Sequence, residues 1–188
     1  MIEGHGEVDA IPLLVRRICH DIYSDFSVQT SRPVRLSKSK LLRGDELERA
    51  VRLAIANTES QAPILIVLDA DDDCPAILGP QLKMRAAAAA RTDLISVVIP
   101  KYEFETWFLY AARSLAGKRG LHPQLSPPLD PYEIRGAKEW LSRHMIAGRK
   151  YSPTVDQAAL VGSIDLRETR TCRSFDRLCR EIGRLIQI

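Results

Sequence analysis

Residues 64–73 read Ile-Leu-Ile-Val-Leu-Asp-Ala-Asp-Asp-Asp, and no other stretch restricts the fold as tightly. An uninterrupted apolar, β-branched run of this length predicts a strand buried on both faces, as in the middle of a parallel sheet. It ends at Asp69, and four of the five residues 69–73 are aspartate. Pro75 suits the first turn of a following helix, with Asp73 or Cys74 as its cap. Open α/β sheets place their ligands at the C-terminal ends of strands. Like charges crowded there cost free energy until something neutralises them, and a divalent cation with hard oxygen ligands does so. The helix dipole favours one Asp at a cap; four point to a metal, Mg²⁺ or Mn²⁺. On that reading the metal-free cluster repels itself, and Asp71→Asn relieves the protein while removing a ligand.

The chain opens Met-Ile-Glu-Gly-His-Gly-Glu, a glycine turn with Glu3 before it and Glu7 after it. Ile11, Leu14, Val15, Ile18 and Ile22 recur at helical spacing, which places Pro12 in the first turn. Residues 26–36 hold a weak strand around Phe26 and Val28. Arg32, Arg35, Lys38, Lys40 and Arg43 follow with no acid between Asp25 and Asp45, a run suited to a nucleic-acid backbone or to plain solvation. Asp45 and Glu48 resemble a capping box ahead of a helix with Leu47, Val51, Ala54 and Ile55 on one face.

Beyond the aspartates, 75–91 predicts a helix and 94–99 a second β-branched strand. Phe104, Trp107, Phe108, Ala111 and Leu115 then space as a helix whose aromatic stripe reads as core rather than a base-stacking platform. Glu103 and Glu105 would lie about 200° apart around that helix, so one of them reaches a site unless the helix begins between them. Four prolines in 122–131 close the α/β part. Helices follow over 136–146, from Ser152-Pro153, and over 174–187. The last is amphipathic, with Arg177, Arg180 and Arg184 opposite its apolar stripe. Lys150 precedes the Ser152 helix, where it suits a phosphate contact or plain solvation.

The 188 residues, 45% hydrophobic and 27% charged, fit one globular domain. Its net charge of +3 is too small to name a partner. No apolar run has the length of a membrane span, and no signal peptide opens the chain. Four cysteines without ligand-like spacing to the four histidines suit reduced thiols in a cytoplasmic protein.

With Glu3-Gly4 and Asp69-Ala70-Asp71 both in hand, the chain resembles the TOPRIM (topoisomerase–primase) superfamily. It is more closely similar to a bacterial domain-of-unknown-function family with a TOPRIM-like core. The likeness rests on Glu-Gly-His-Gly-Glu at 3–7, Leu-Asp-Ala-Asp-Asp-Asp-Cys-Pro at 68–75 and Glu-Phe-Glu-Thr-Trp-Phe at 103–108. Gly-Ala-Lys-Glu-Trp-Leu at 136–141 and Lys-Tyr-Ser-Pro-Thr-Val-Asp-Gln at 150–157 complete it. The resemblance implies an α/β fold: a Rossmann-like core with a mainly parallel sheet between helices over 1–117, and a helical extension packed on it over 132–188. It implies Mg²⁺- or Mn²⁺-dependent phosphodiester chemistry, with Glu3, Asp69 and Asp71 in the catalytic and metal-binding roles. Glu7, Asp73 and Glu105 become candidates for a second metal. Related proteins of the overcoming-lysogenisation-defect group are nucleases, some paired with an ABC- or AAA-type ATPase in phage defence. One departure is plain: the apolar residues of a full first strand do not precede Glu3.

Two other classes compete with a nuclease. A haloacid-dehalogenase-like phosphohydrolase also ends a strand in Asp-x-Asp, with the first Asp as nucleophile. It expects Thr or Val where Asp73 stands. A non-catalytic partner or regulator of an ATPase would hold an acidic cluster without cleaving anything.

Overall fold

Ile64–Val67 (β1) and Ile95–Val98 (β2) pair in parallel, Ile64 opposite Ile95 through Val67 opposite Val98. The structure, a computed structural model, describes residues 1–58, 62–146 and 148–186. Among these, the helices are Glu7–Tyr23 (α1), Lys38–Leu41 (α2), Glu46–Ala56 (α3), Pro75–Ala90 (α4), Thr106–Tyr110 (α5), Ala112–Leu115 (α6), Ala137–Arg143 (α7), Pro153–Val161 (α8), Leu166–Thr169 (α9) and Arg173–Ile186 (α10). Residue 187, expected in the last helix, lies outside the described residues.

The parallel row is longer than its two strands. Met1 lies along β1: its amine donates to Leu65 O at 2.6 Å, and Val67 N donates to Met1 O at 3.0 Å. Ile2 in turn bridges Arg35 in parallel, between Val34 O (3.1 Å) and Leu36 N (2.9 Å). Glu3 leaves this row directly after Ile2. The 26–36 strand reduces to the single bridge at Arg35 among the described residues, and Phe26 is exposed. What the structure supports is a mixed α/β fold with a short parallel sheet, smaller than the Rossmann-like sheet expected.

Alternation along β1 sorts its side chains between two cores. Ile64, Ile66 and Leu68, with Ile95, Val97 and Ile99, pack against Leu47 and Val51 of α3 and Leu78, Leu82 and Ala86 of α4. Val67 and Val98 face the other way, into a core built from Leu14 and Ile18 of α1, Phe108 of α5, Leu160 of α8 and Phe175 and Leu178 of α10. The C-terminal helices therefore share the core of the N-terminal part. Phe104, Trp107 and Phe108 are buried in it, each worth about 2–3 kcal/mol of burial, so the aromatic stripe is core as expected. Helix α10 also docks on β2: Ser96 Oγ donates to Glu181 Oε2 at 2.6 Å and Arg184 reaches Ile95 O at 2.8 Å.

Local chemistry moved several boundaries. Helix α1 begins at Glu7, so Pro12 falls inside it rather than in its first turn. Asp45 has φ −105° and ψ 18°, not the extended backbone that aims a cap side chain, and it makes no cap bond. Its carboxylate pairs with Arg49 at 3.5 Å instead. The helix expected from the Phe104 to Leu115 spacing starts at Thr106 and breaks at Ala111.

Candidate functional site

Asp69 follows Leu65 and Val67 in the alternation and so turns toward α1 and α5. There its Oδ1 accepts the Phe104 N–H at 2.7 Å. The charges of Glu7 and Glu105 act on it from two other segments, and Glu3 joins through Glu7. Glu3 ends the Met1–Ile2 row, Glu7 opens α1, and Glu105 precedes α5. Glu7 Oε2 accepts the Glu3 N–H at 3.1 Å, and Glu3 Oε1 accepts the Lys38 N–H at 3.0 Å. The two glycines of this turn are there for room rather than for unusual dihedrals. A Cβ on Gly4 would lie 2.7 Å from Glu7 Oε1, and one on Gly6 would lie 2.4 Å from Pro153 O.

Glu105 is fully buried. Its Oε1 accepts Tyr151 Oη–H at 2.8 Å and Gln157 Nε2–H at 3.2 Å. Its Oε2 lies 3.0 Å from Lys138 Nζ as an ion pair, off the hydrogen-bond direction, so it has no aligned donor. Lys138 also binds Glu103, whose Oε1 accepts the Ala137 N–H. Both acids of the Glu-Phe-Glu stretch converge on one lysine because the helix begins after both.

Burial and mutual repulsion govern the protons here. Burial, then the charges of Glu7 and Glu105, push the Asp69 carboxyl well above the usual range, against Lys138. Asp69 keeps partial exposure as a residue, but its carboxyl is desolvated. Glu7 is raised to about 7 by burial, with Glu105 and Glu3 adding to it against the Glu3 and Gly4 N–H groups. Burial raises Glu105 as well, with Lys138 opposing. Burial works to lower the Lys138 ammonium, but Glu105 and Glu103 outweigh it and hold it above its ordinary value.

The remaining aspartates are elsewhere. Asp71 sits at φ +47°, a left-handed conformation that Asp tolerates better than most residues. The chain has left the strand by then, so Asp71 does not share the face of Asp69. Asp71 Oδ2 and Asp73 Oδ2 lie 3.0 Å and 2.9 Å from Lys38 Nζ, which also donates to Ala70 O. Asp72 pairs with Arg135. Cys74 is the N-cap residue of α4, and no side chain bonds to that helix end. An aspartate cap does not account for the run.

Among the described residues, no three His, Cys, Asp or Glu side chains converge as metal ligands. The inner carboxylates nevertheless fit a hard divalent cation by donor chemistry: Glu3 Oε2 and Glu105 Oε2 are buried without an aligned donor. Asp71 and Asp73 do not fit one, because an ammonium already holds them. Glu3 connects the two sets, since it also lines a shallow depression of about 400 Å³ with Lys38, Leu42 and Asp71–Asp73.

Of the basic residues, Arg32, Arg35, Lys40, Arg43 and Lys150 are exposed. Arg35 Nη1 reaches Glu3 O at 3.4 Å, which brings this segment to the mouth of the depression. Lys38 is buried and committed to the aspartates, so it is not a surface contact for nucleic acid. Arg180 pairs with Asp176 and Arg184 with Glu181. Sequence reasoning missed Lys138, Tyr151 and Gln157 as site residues. Each lies inside one of the five stretches that carry the resemblance, and that was the available signal.

The fold and this site define an α/β protein with a buried carboxylate cluster at the C-terminal edge of a short parallel sheet. Residues 2–183 match the family described as Domain of unknown function (DUF4276), and the chain belongs to that family. No curated protein and no solved structure matches it. No helix among the described residues is long and apolar enough to cross a membrane.

Proposed function

We propose that this chain is a divalent-metal-dependent nuclease or nuclease subunit with its site at Glu3, Glu7, Asp69 and Glu105. One observation carries the reading. Four carboxylates from three chain segments lie about a strand end, three of them are raised by burial, and Asp69 and Glu7 are raised further by neighbouring carboxylates. Such a group favours added positive charge, whether proton or metal, and perturbed carboxylates in one place are a mark of function.

A divalent ion held by Glu3, Asp69 and Glu105 would activate water and stabilise charge on phosphate oxygens. Glu7, at about 7, is poised to take or give a proton near neutrality. Lys138 fixes Glu103 and Glu105 in place. The exposed Arg35 beside Glu3, with Lys40 on the same segment, would supply positive charge to a phosphate backbone. The TOPRIM relationship, the wider Rossmann-like core, an ATPase partner and a role in phage defence follow from the resemblance alone and belong to this proposal. A haloacid-dehalogenase reading has less support, since Asp73 stands where that motif expects Thr or Val.

The test is cleavage of single- and double-stranded DNA and RNA with and without Mn²⁺. Cleavage should need the metal and fall at least about 100-fold in Asp69→Asn, the scale of losing a key electrostatic group. Metal-dependent cleavage that survives in Asp69→Asn and in Glu105→Gln would remove this site from the reaction.

A further inference from the structure

The neutralising charge expected from a metal at the aspartate run is already supplied by the chain. Lys38 Nζ is enclosed by Asp71 Oδ2, Asp73 Oδ2 and Ala70 O, and the lysine side chain is 9% exposed. Burial alone would lower this ammonium. The hydrogen bonds it donates to Asp73 and Asp71, with their charges, outweigh burial and hold its pKa above the ordinary value. The residue is anchored at its other end too, since its backbone N–H is bound by Glu3 Oε1. Backbone geometry supports the same arrangement. Asp71 N donates to Tyr102 O at 2.8 Å, and both residues have positive φ, so the carboxylates are aimed at Lys38 by a fixed turn.

We infer that the Lys38 ammonium is a built-in cation that closes the Asp71–Asp73 pair to divalent metals, leaving the inner carboxylates as the set open to them among the described residues. The second half rests on the proposed nuclease site; the first half does not. A tethered ammonium does not have to be recruited from solution, and it holds the loop in one geometry whether or not metal is present. It also distinguishes two carboxylate sets that a strand-end Asp-x-Asp would merge. Removing the ammonium should expose a hard-oxygen pair that a divalent ion can fill.

Mn²⁺ binding, counted by calorimetry and by electron paramagnetic resonance, tests this without reference to activity. Wild type and the double variant Asp71→Asn, Asp73→Asn should bind the same number of ions with affinities within about twofold. Lys38→Met should gain one ion, and adding both aspartate substitutions should remove it again. Amine labelling of the wild type provides a readout that needs no variant to fold: Lys38 should stay protected, unchanged from zero to millimolar Mn²⁺. Loss of an ion in the double aspartate variant overturns the inference. So does a folded Lys38→Met that gains none, or labelling of Lys38 that rises with Mn²⁺. If wild type binds no Mn²⁺, the metal reading of the inner carboxylates fails, while a gained ion in Lys38→Met still supports the closed pair.

Discussion

Asp69 and Asp71 are two residues apart in sequence yet take opposite sides of the turn. Asp69 accepts Phe104 N–H at 2.7 Å among the buried acids, and Asp71 lies 3.0 Å from Lys38 Nζ. Neutralising them should therefore have opposite effects. Asp71→Asn keeps a residue that tolerates positive φ but loses an ion pair that is more than half exposed on the aspartate side. It should lower the metal-free melting temperature by about 2 °C, from roughly 0.5–1 kcal/mol. Asp69→Asn removes a carboxyl whose charged form is penalised by burial and by Glu7 and Glu105, and should raise that temperature, the more so as pH rises. Thermal melts in chelator check both, and a higher melting point for Asp71→Asn would restore the picture of a self-repelling run.

Glu7 gives the site a pH signature. Its carboxyl is raised from 4.5 to about 7, so between those values the folded protein binds more proton than the unfolded chain. The stabilisation is fully present below about 4.5 and is lost as pH rises through 7, on the order of 3 kcal/mol at most. The Met1 amine, lowered by burial to about 5, acts in the opposite sense over about pH 5–8. The useful quantity is therefore the difference between wild type and Glu7→Gln. Denaturant unfolding at pH 5 and pH 8 should show the variant gaining on the wild type at the higher pH. Parallel pH profiles would mean that Glu7 titrates normally.

Lys138 and Glu105 should be strongly coupled. Truncating Lys138 to Met leaves a fully buried carboxylate with only Tyr151 and Gln157 as donors. Lys138 is itself 38% exposed, so the cost is discounted to about 2 kcal/mol. Glu105→Gln leaves Lys138 with Glu103, which also binds the start of α7. The double variant should lose less than the sum of the single ones, by about 1 kcal/mol. Strict additivity would show that Lys138 serves Glu103 alone.

Sequence periodicity made the strand at 64–67 legible, together with its helix-covered setting and the second strand at 95–98. It also placed α4, α10 and the aromatic core. It could not separate Asp69 from Asp71, because spacing of two means one face only while the backbone stays extended, and Asp71 does not. The role of Lys38 was hidden for a different reason. In sequence it is one of five cations in a run, and its pairing is made through space, across more than thirty residues. Glu103 and Glu105 were placed on opposite flanks because the aromatic spacing continues back through them. Hydrogen bonding starts the helix only at Thr106, which frees both acids to meet Lys138. Met1 and Ile2 pair on both sides, with β1 and with residues 34–36, and sequence spacing identifies neither partner.

The same sorting changes which basic residues should touch nucleic acid. Arg32, Arg35, Lys40 and Arg43 are exposed, and Arg35 stands at the Glu3 backbone, whereas Lys38 is turned inward. A variant with Arg35, Lys40 and Arg43 reversed to Glu should bind single-stranded oligonucleotides more weakly in chelator. Its affinity should also depend less on salt. Each phosphate contact contributes about 0.7 to the slope of log affinity against log salt for single strands, so losing three flattens it by about 2. These side chains are on the surface, so the melting temperature should hold within about 2 °C. Lys38→Met, by contrast, should lower the melting temperature while changing the salt slope by less than one contact. Fluorescence anisotropy across a salt series separates the cases. Equal affinity and slope for wild type and the triple reversal would exclude this segment as the nucleic-acid surface, and a large slope change in Lys38→Met would mean that its ammonium is not confined to the aspartates.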